Sequence, residues 1–284
     1  MQKYFGIIFN IVYDAVEHFV EEDGWAMASH ISLAALLSVF PFIVFCANLA
    51  GFLGLHEFVP TVISVFFGAW PDVIAKPITD EIFQVLAVPR KGLFTISALA
   101  AVYFSSNGIE ALRVSLNRAY RVVEMRSWYI TRLISLGYVL LSSITLVIMS
   151  FIFVVVPLAL AYVKTLFPSL GNMIEIVWNG RLYGAVLALF IGLIFVHLFL
   201  PAGKRKVWII LPGIIFTSIS WLIGAVLFTH YIVTFSTYSA MYAGLASITI
   251  CLVFLYMLGV IFIIGAEINA STIIHYWEKR SDSL

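Results

Sequence analysis

Six stretches of the chain are continuously apolar, and a seventh, at the N terminus, is apolar along one side only. The six cover residues 31–53, 93–106, 133–162, 182–200, 207–231 and 242–266. About 20 residues of helix cross roughly 30 Å of hydrocarbon, so each of the six reads as a membrane span. The second is short unless it continues into the helical pattern that follows it, and the third is long enough to tilt or kink. Pro41 and Pro157 fall inside the first and third spans, where each removes a backbone donor and bends its helix. Pro212 sits in the first turns of the fifth and Pro201 ends the fourth. Pro60, Pro71, Pro77 and Pro89 interrupt the long connection between the first two. The pattern predicts an all-α polytopic membrane protein with six transmembrane helices plus an N-terminal amphipathic helix. It reads as a single integral membrane domain over 1–284, with an interfacial helix at 1–27, the bundle at 28–275 and a cytoplasmic tail at 276–284.

At 100° per residue, Tyr4, Ile8, Ile11, Ala15 and Phe19 share one face of the N-terminal helix, and Lys3, Asn10, Asp14, Glu17 and Glu21 share the other. The polar face is acidic, so attraction to anionic lipid is not what would hold it. It lies either in the interface or against the protein's own basic loops.

Composition narrows the class. Hydrophobic residues make up 62% of the 284 and charged residues 11%, a proportion that cannot cover a soluble surface. Cys46 and Cys251 both sit in apolar runs, which argues against a disulfide framework, and no cleavable signal peptide precedes the first span. Eleven Lys and Arg residues fall on one side of the six spans and five on the other. The richer side carries 113–132, Lys204-Arg205-Lys206 and both termini, and is predicted to be cytoplasmic. Lys204-Arg205-Lys206 reads most simply as that orientation signal, with lipid headgroup contact as the alternative.

Polar residues inside the apolar stretches are the candidate chemistry, because ionisable groups at membrane depth face an interior or a cavity. Span one carries His30, Ser32, Ser38 and Asn48 beside the bend at Pro41. Span two runs into a helical stretch on which Asn107, Glu110, Arg113, Asn117, Arg118, Arg121 and Glu124 share an arc of about 140°. Span six ends in Glu267 and Asn269. The arc is either a solvated face held by Glu110–Arg113 and Arg121–Glu124 pairs or one wall of a hydrated cavity. Glu267 is either a hydrated helix end or one half of a buried pair with an arginine of 113–132. Span one is either a close-packing helix or a pathway lining. The candidate pathway set is therefore His30, Ser38, Pro41, Asn107, Glu110, Arg113, Asn117, Arg121, Glu267 and Asn269. Nothing points to a cofactor. The histidines, His18, His30, His56, His197, His230 and His275, are never three to five residues apart, so no ligand set for a catalytic metal is expected.

Three stretches resemble the YihY/BrkB family of bacterial inner-membrane proteins. One is Ser38-Val39-Phe40-Pro41. Another runs from Ser105-Ser106-Asn107-Gly108 through Asn117-Arg118-Ala119-Tyr120 to Glu124 and Arg126. The third includes Pro212-Gly213, Trp221, Tyr231, Tyr242-Ala243-Gly244-Leu245 and Gly265-Ala266-Glu267-Ile268-Asn269. The chain departs from the family where Ala243 interrupts a usual Tyr-Gly and Phe254 replaces a usual Trp. The resemblance implies an inner-membrane protein of unsettled activity, carrying an old ribonuclease label and a virulence-factor label. Transport of lipids or other amphipaths has been suggested for the family. Together these readings predict a transporter or flippase-like protein for an anionic or amphipathic substrate. The alternative is a non-transporting scaffold for envelope assembly, and a nuclease is disfavoured. The expected partners are membrane lipids and possible further copies of the chain, with no nucleic acid.

Overall fold

The computed structural model describes residues 2–52, 60, 63, 75–76, 79–80, 83, 94–166, 171–239 and 245–281. His56, Pro71, Pro77, Pro89 and the 242–244 motif lie outside the described residues, as do the side chains of Asn48 and of the tail. Seven long helices and no strand occur among the described residues. They are α1 (Gln2–Glu21), α2 (Gly24–Phe52), α3 (Phe94–Ala119), α4 (Trp128–Leu166), α5 (Gly171–Phe199), α6 (Val207–Ser239) and α7 (Leu245–Ser281). Among the described residues three stretches are long and apolar enough to cross a membrane: Trp128–Ile148, Val207–Tyr231 and Ile248–His275. Gly24–Val39 and Val186–Phe199 are shorter apolar segments. The second apolar stretch does continue into the pattern after it, since α3 runs on to Ala119.

The chain divides into two compact units. The first comprises residues 1–37, 107–134 and 190–284, and it contains most of the candidate residues. Its centre is α7. Cys251, Phe254, Leu255, Phe262, Ile263, Ala266 and Ala270 are buried at the three- and four-residue spacing of a helix face. Small residues let neighbours approach this face closely. A Cβ on Gly213 would fall 1.8 Å from the Gly265 carbonyl oxygen, so α6 and α7 cross there backbone to backbone. Trp221 Nε1 donates to the Leu258 carbonyl at 3.0 Å further along the same pair. Away from α7, α6 turns Ile215, Ile219, Leu222, Ile223, Val226 and Leu227 outward. An outward apolar face on this scale suits lipid rather than water.

Helix α1 packs on α7. Ala15 and Phe19 are buried, as the predicted apolar face requires, but Ile8 is exposed together with Phe9, Val12, Tyr13, Val16 and Val20. The expected two-faced helix is therefore three-faced: an inner apolar stripe, an outer apolar stripe, and a polar flank. Asp14 on that flank is no free acidic surface, because it accepts from Arg121 Nη2 at 2.8 Å. Asp23, in left-handed conformation at φ 54°, ends α1, and its carbonyl opens α2 by accepting from Ala26 and Met27.

The second unit comprises residues 38–106 and 135–189. Within it, Ile43 and Cys46 on α2 and Val139, Ser143 and Val147 on α4 are buried. Ser38 Oγ donates to the Phe104 carbonyl at 3.4 Å. Pro41 lies within α2, and α4 runs through Pro157.

Candidate functional site

The chain turns sharply at the end of α3. Arg121 N donates to the Arg118 carbonyl at 2.8 Å and Val122 N to the Asn117 carbonyl at 2.9 Å. This is the double bond of a Schellman cap, with Arg121 at φ 56° in the position glycine usually fills. Residues 122–126 then fold back along the helix instead of extending it. Glu124 thus comes to Arg113 by tertiary folding, not by helical spacing, and this corrects the predicted continuous arc. The Arg121–Glu124 pair does not form. Arg121 bonds Asp14 instead.

Arg113 is 7% exposed and lies between two carboxylates. Its Nη2 and Nε donate to Glu110, and its Nη1 donates to Glu124 Oε2 at 2.6 Å. Glu124 also accepts from Arg126 Nε and Nη2, both at 2.7 Å, and from Asn117 Nδ2 at 3.0 Å. Those contacts, Arg126 foremost, hold its carboxyl well below the usual carboxylate range. Burial works against the charge on Arg113, but Glu110 and Glu124 outweigh it and raise its pKa. Asn117 Oδ1 accepts from Ala202 N at 2.7 Å, and Arg126 Nη2 donates to the Leu200 carbonyl at 3.1 Å. The cluster therefore fastens the α3 turn to the α5–α6 connection.

A second polar array lies beside it. Asn269 Oδ1 accepts the backbone N–H of Gly213 at 2.7 Å, and its Nδ2 donates to the Tyr120 hydroxyl at 3.2 Å. The Tyr120 hydroxyl hydrogen then has His197 Nδ1, 2.7 Å away, as its acceptor. Tyr120, His197 and Asn269 are all buried. The Arg205 guanidinium carbon stands 4.0 Å from the centre of the Tyr120 ring. Arg205 Nη2 donates to the Ala202 carbonyl at 2.7 Å, while Nη1 is buried with no partner among the described residues. Burial lowers the pKa of Arg205, and no carboxylate opposes the shift. Elsewhere in this unit Glu267, fully buried, meets His18 Nδ1 at 2.9 Å. That is a buried pair, as one reading of the sequence had it, but the partner is a histidine of α1 and not an arginine of 113–132.

Residues 122–126 and the connection around 198–207 form a cleft of about 850 Å³. Arg126, Lys204 and Arg205 line it together with Glu124, which pairs with Arg126, and with apolar walls from Leu198, Phe199 and Val207. No ion pair neutralises Arg118, Lys204, Arg205 or Lys206 among the described residues. Trp128 and Tyr129 open α4, and Trp208, 81% exposed, sits in the first turn of α6. Exposed aromatics beside Lys and Arg mark the headgroup level of a membrane protein.

The structure thus gathers Glu110, Arg113 and Asn117 in one cluster and sets Asn269 in the array beneath Arg205. Asn107 accepts from Arg132 Nη2 at 2.9 Å, and His30 is exposed on α2. Ser38 and Pro41 belong to the second unit. Among the described residues no three His, Cys, Asp or Glu side chains gather to hold a metal ion.

A family model described as virulence factor BrkB matches residues 15–283. The chain belongs to the BrkB family. YfkH of Bacillus subtilis, whose name calls it ribonuclease-like, is 29% identical over 92% of this chain and 93% of its own length. A UPF0761 membrane protein of Alteromonas mediterranea is 26% identical over 86% of this chain and 81% of its own. No solved structure matches. With the apolar spans, these relations make the chain a membrane protein of the BrkB/UPF0761 type. Within this BrkB chain, sequence reasoning passed over Tyr120, His197 and His18 as structural partners. Tyr120 and Gly213 did stand within the motifs that carried the family resemblance. His18 and His197 enter the sequence reading only through the search for metal ligands, a test that says nothing of single hydrogen bonds.

Proposed function

We propose that the chain is a six-span cytoplasmic-membrane protein, with both termini inside, that moves an anionic, lipid-like substrate. The observation that carries this reading is the positive charge of Lys204 and Arg205, paired with no carboxylate among the described residues, at an apolar-walled cleft whose lining segments run into the exposed Trp128 and Trp208. A substrate with an anionic head and an acyl tail suits a wall that is basic at one point and apolar around it. The positive-inside count supports a cytoplasmic cleft, and the outer apolar stripe of α1 supports a helix lying in that interface. In this reading Glu110, Arg113 and Asn117 hold the cleft's floor and do not touch substrate.

The test is leaflet exchange of a fluorescent anionic phospholipid in vesicles reconstituted with the purified protein. Exchange well above that of protein-free vesicles is expected. A second reading, a non-transporting scaffold, is favoured by the mutual pairing of Glu110, Arg113 and Glu124, and exchange at the protein-free rate would select it. Reporter fusions after Arg121 test the topology and are expected inside. The nuclease label is tested separately, and RNA incubated with the pure protein and Mg²⁺ or Mn²⁺ is expected to stay intact.

A further inference from the structure

We infer that Arg205 is the phosphate-binding residue of a lipid site, and that its ligand is the headgroup of an anionic glycerophospholipid from the leaflet facing the cleft. This rests on the reading that the basic end of the first unit lies at the headgroup level, but not on transport. Arg113 and Arg205 share a neighbourhood and differ in one respect. Arg113 has two carboxylates, whereas Arg205 has an aromatic face, one carbonyl and an unmet Nη1 donor. A guanidinium withdrawn from water without a counter-ion is costly, and an anion brought to it removes that cost.

The geometry favours a phosphate oxygen. The Arg205 guanidinium sits over the Tyr120 ring, and Tyr120 is itself pinned by Asn269 and His197, so the fork is held before a ligand arrives. Lys204 stands exposed on the same wall. Gly203, at φ 88°, turns the chain just ahead of these two adjacent cations. The α6 N terminus opens onto the cleft at Val207, where the Lys206 side chain offers no acceptor and its carbonyl takes only the Ile209 N–H, at 3.1 Å. A free phosphate would be served by the cations alone. The apolar walls of Leu198, Phe199 and Val207 have work only if the anion carries acyl chains.

The experiment is lipid binding by the purified full chain in a neutral detergent, with phosphatidylglycerol, phosphatidylcholine and inorganic phosphate as probes. Wild type is expected to retain phosphatidylglycerol at least tenfold more strongly than phosphatidylcholine. Inorganic phosphate at matched concentration is expected not to compete. Arg205→Gln should lose most of that preference, and Arg205→Lys should keep part of it. Lys204→Glu, at an exposed position that does not endanger folding, should weaken phosphatidylglycerol about threefold or more. Unchanged preference in folded Arg205→Gln overturns the site. If that variant does not fold, unchanged preference in both Arg205→Lys and Lys204→Glu does so. Competition by inorganic phosphate overturns the lipid. Lipid binding lost in Arg205→Gln while leaflet exchange persists would leave transport standing through another route. Lipid binding without any exchange would sink transport and keep the site.

Discussion

Arg113, buried, and Arg205, half-buried, lie at the same end of the first unit, yet their surroundings are opposites. Around Arg113 every charge is answered: Glu110 and Glu124 face it, Arg126 and Asn117 face Glu124, and the set ties the α3 turn to the α5–α6 connection. Arg205 is bonded only to a neutral ring and a carbonyl, its charged neighbour Arg126 is another cation, and one donor is unmet. The difference teaches that a cation in a membrane protein's wall has two uses. Closed by carboxylates it joins segments, and left open it waits for an anion from outside the chain.

The largest effect should come from breaking the closed cluster. Arg113→Gln removes the cation that Glu110 and Glu124 share and leaves Glu124 with Arg126 as its remaining cation. It should cost about 3 kcal/mol in detergent unfolding, the lower end for a broken buried pair, because both carboxylates keep some solvent. Loss of less than about 1 kcal/mol would show that the cluster is not a joint. Next comes the platform under Arg205. Asn269→Ala takes an acceptor from the Gly213 N–H and a donor from Tyr120, for about 2 kcal/mol, measured in the same way. It should also weaken phosphatidylglycerol binding, since Tyr120 is then free to move.

How much of this was readable from residues alone differs between the two arginines. The Glu110–Arg113 pair follows from helical spacing, and the cluster's location follows from the polar arc. Glu124 was assigned to the wrong element because α3 stops at a left-handed arginine. Without a glycine or proline at 120–122, nothing in the periodicity marks the end of the helix. Lys204-Arg205-Lys206 was visible as charge, but its lack of carboxylates is a fact about folding, which brings Glu124 to Arg113 and Arg126 and none to Arg205. The α1 contacts were half legible. Ala15 and Phe19 point inward as their spacing requires, whereas the choice of His18 for Glu267 depends on how α1 lies along α7. The apolar pattern located the seven long helices, because burial and lipid exposure impose the same long apolar runs, but it read as a connection the stretch where residues 75–76 and 79–80 are helical.

Acid offers a graded version of the first prediction. The folded pKa of Glu124 lies below its ordinary 4.5. Its contribution is therefore complete above that value and is lost as pH falls from there toward the folded pKa. Unfolding temperature in detergent should drop below about pH 4.5 in wild type and drop less in Glu124→Gln. Equal acid sensitivity in both would remove Glu124 from the account. The smallest effect is expected at the exposed pair. Arg121→Gly relieves a left-handed conformation and loses the Asp14 contact, and these nearly cancel, within about 0.5 kcal/mol. A cost above about 2 kcal/mol there would mean that exposure does not separate joints from surface pairs in this chain.

The contrast itself is tested by thermal unfolding of Arg113→Gln and Arg205→Gln side by side, each with and without phosphatidylglycerol. The account predicts a crossed result. Arg113→Gln unfolds earlier than wild type in lipid-free detergent but gains from the lipid as much as wild type does. Arg205→Gln matches wild type without lipid, within about 1 kcal/mol, and gains little when lipid is added. Two variants that lose lipid-free stability alike, and gain from lipid alike, would contradict it.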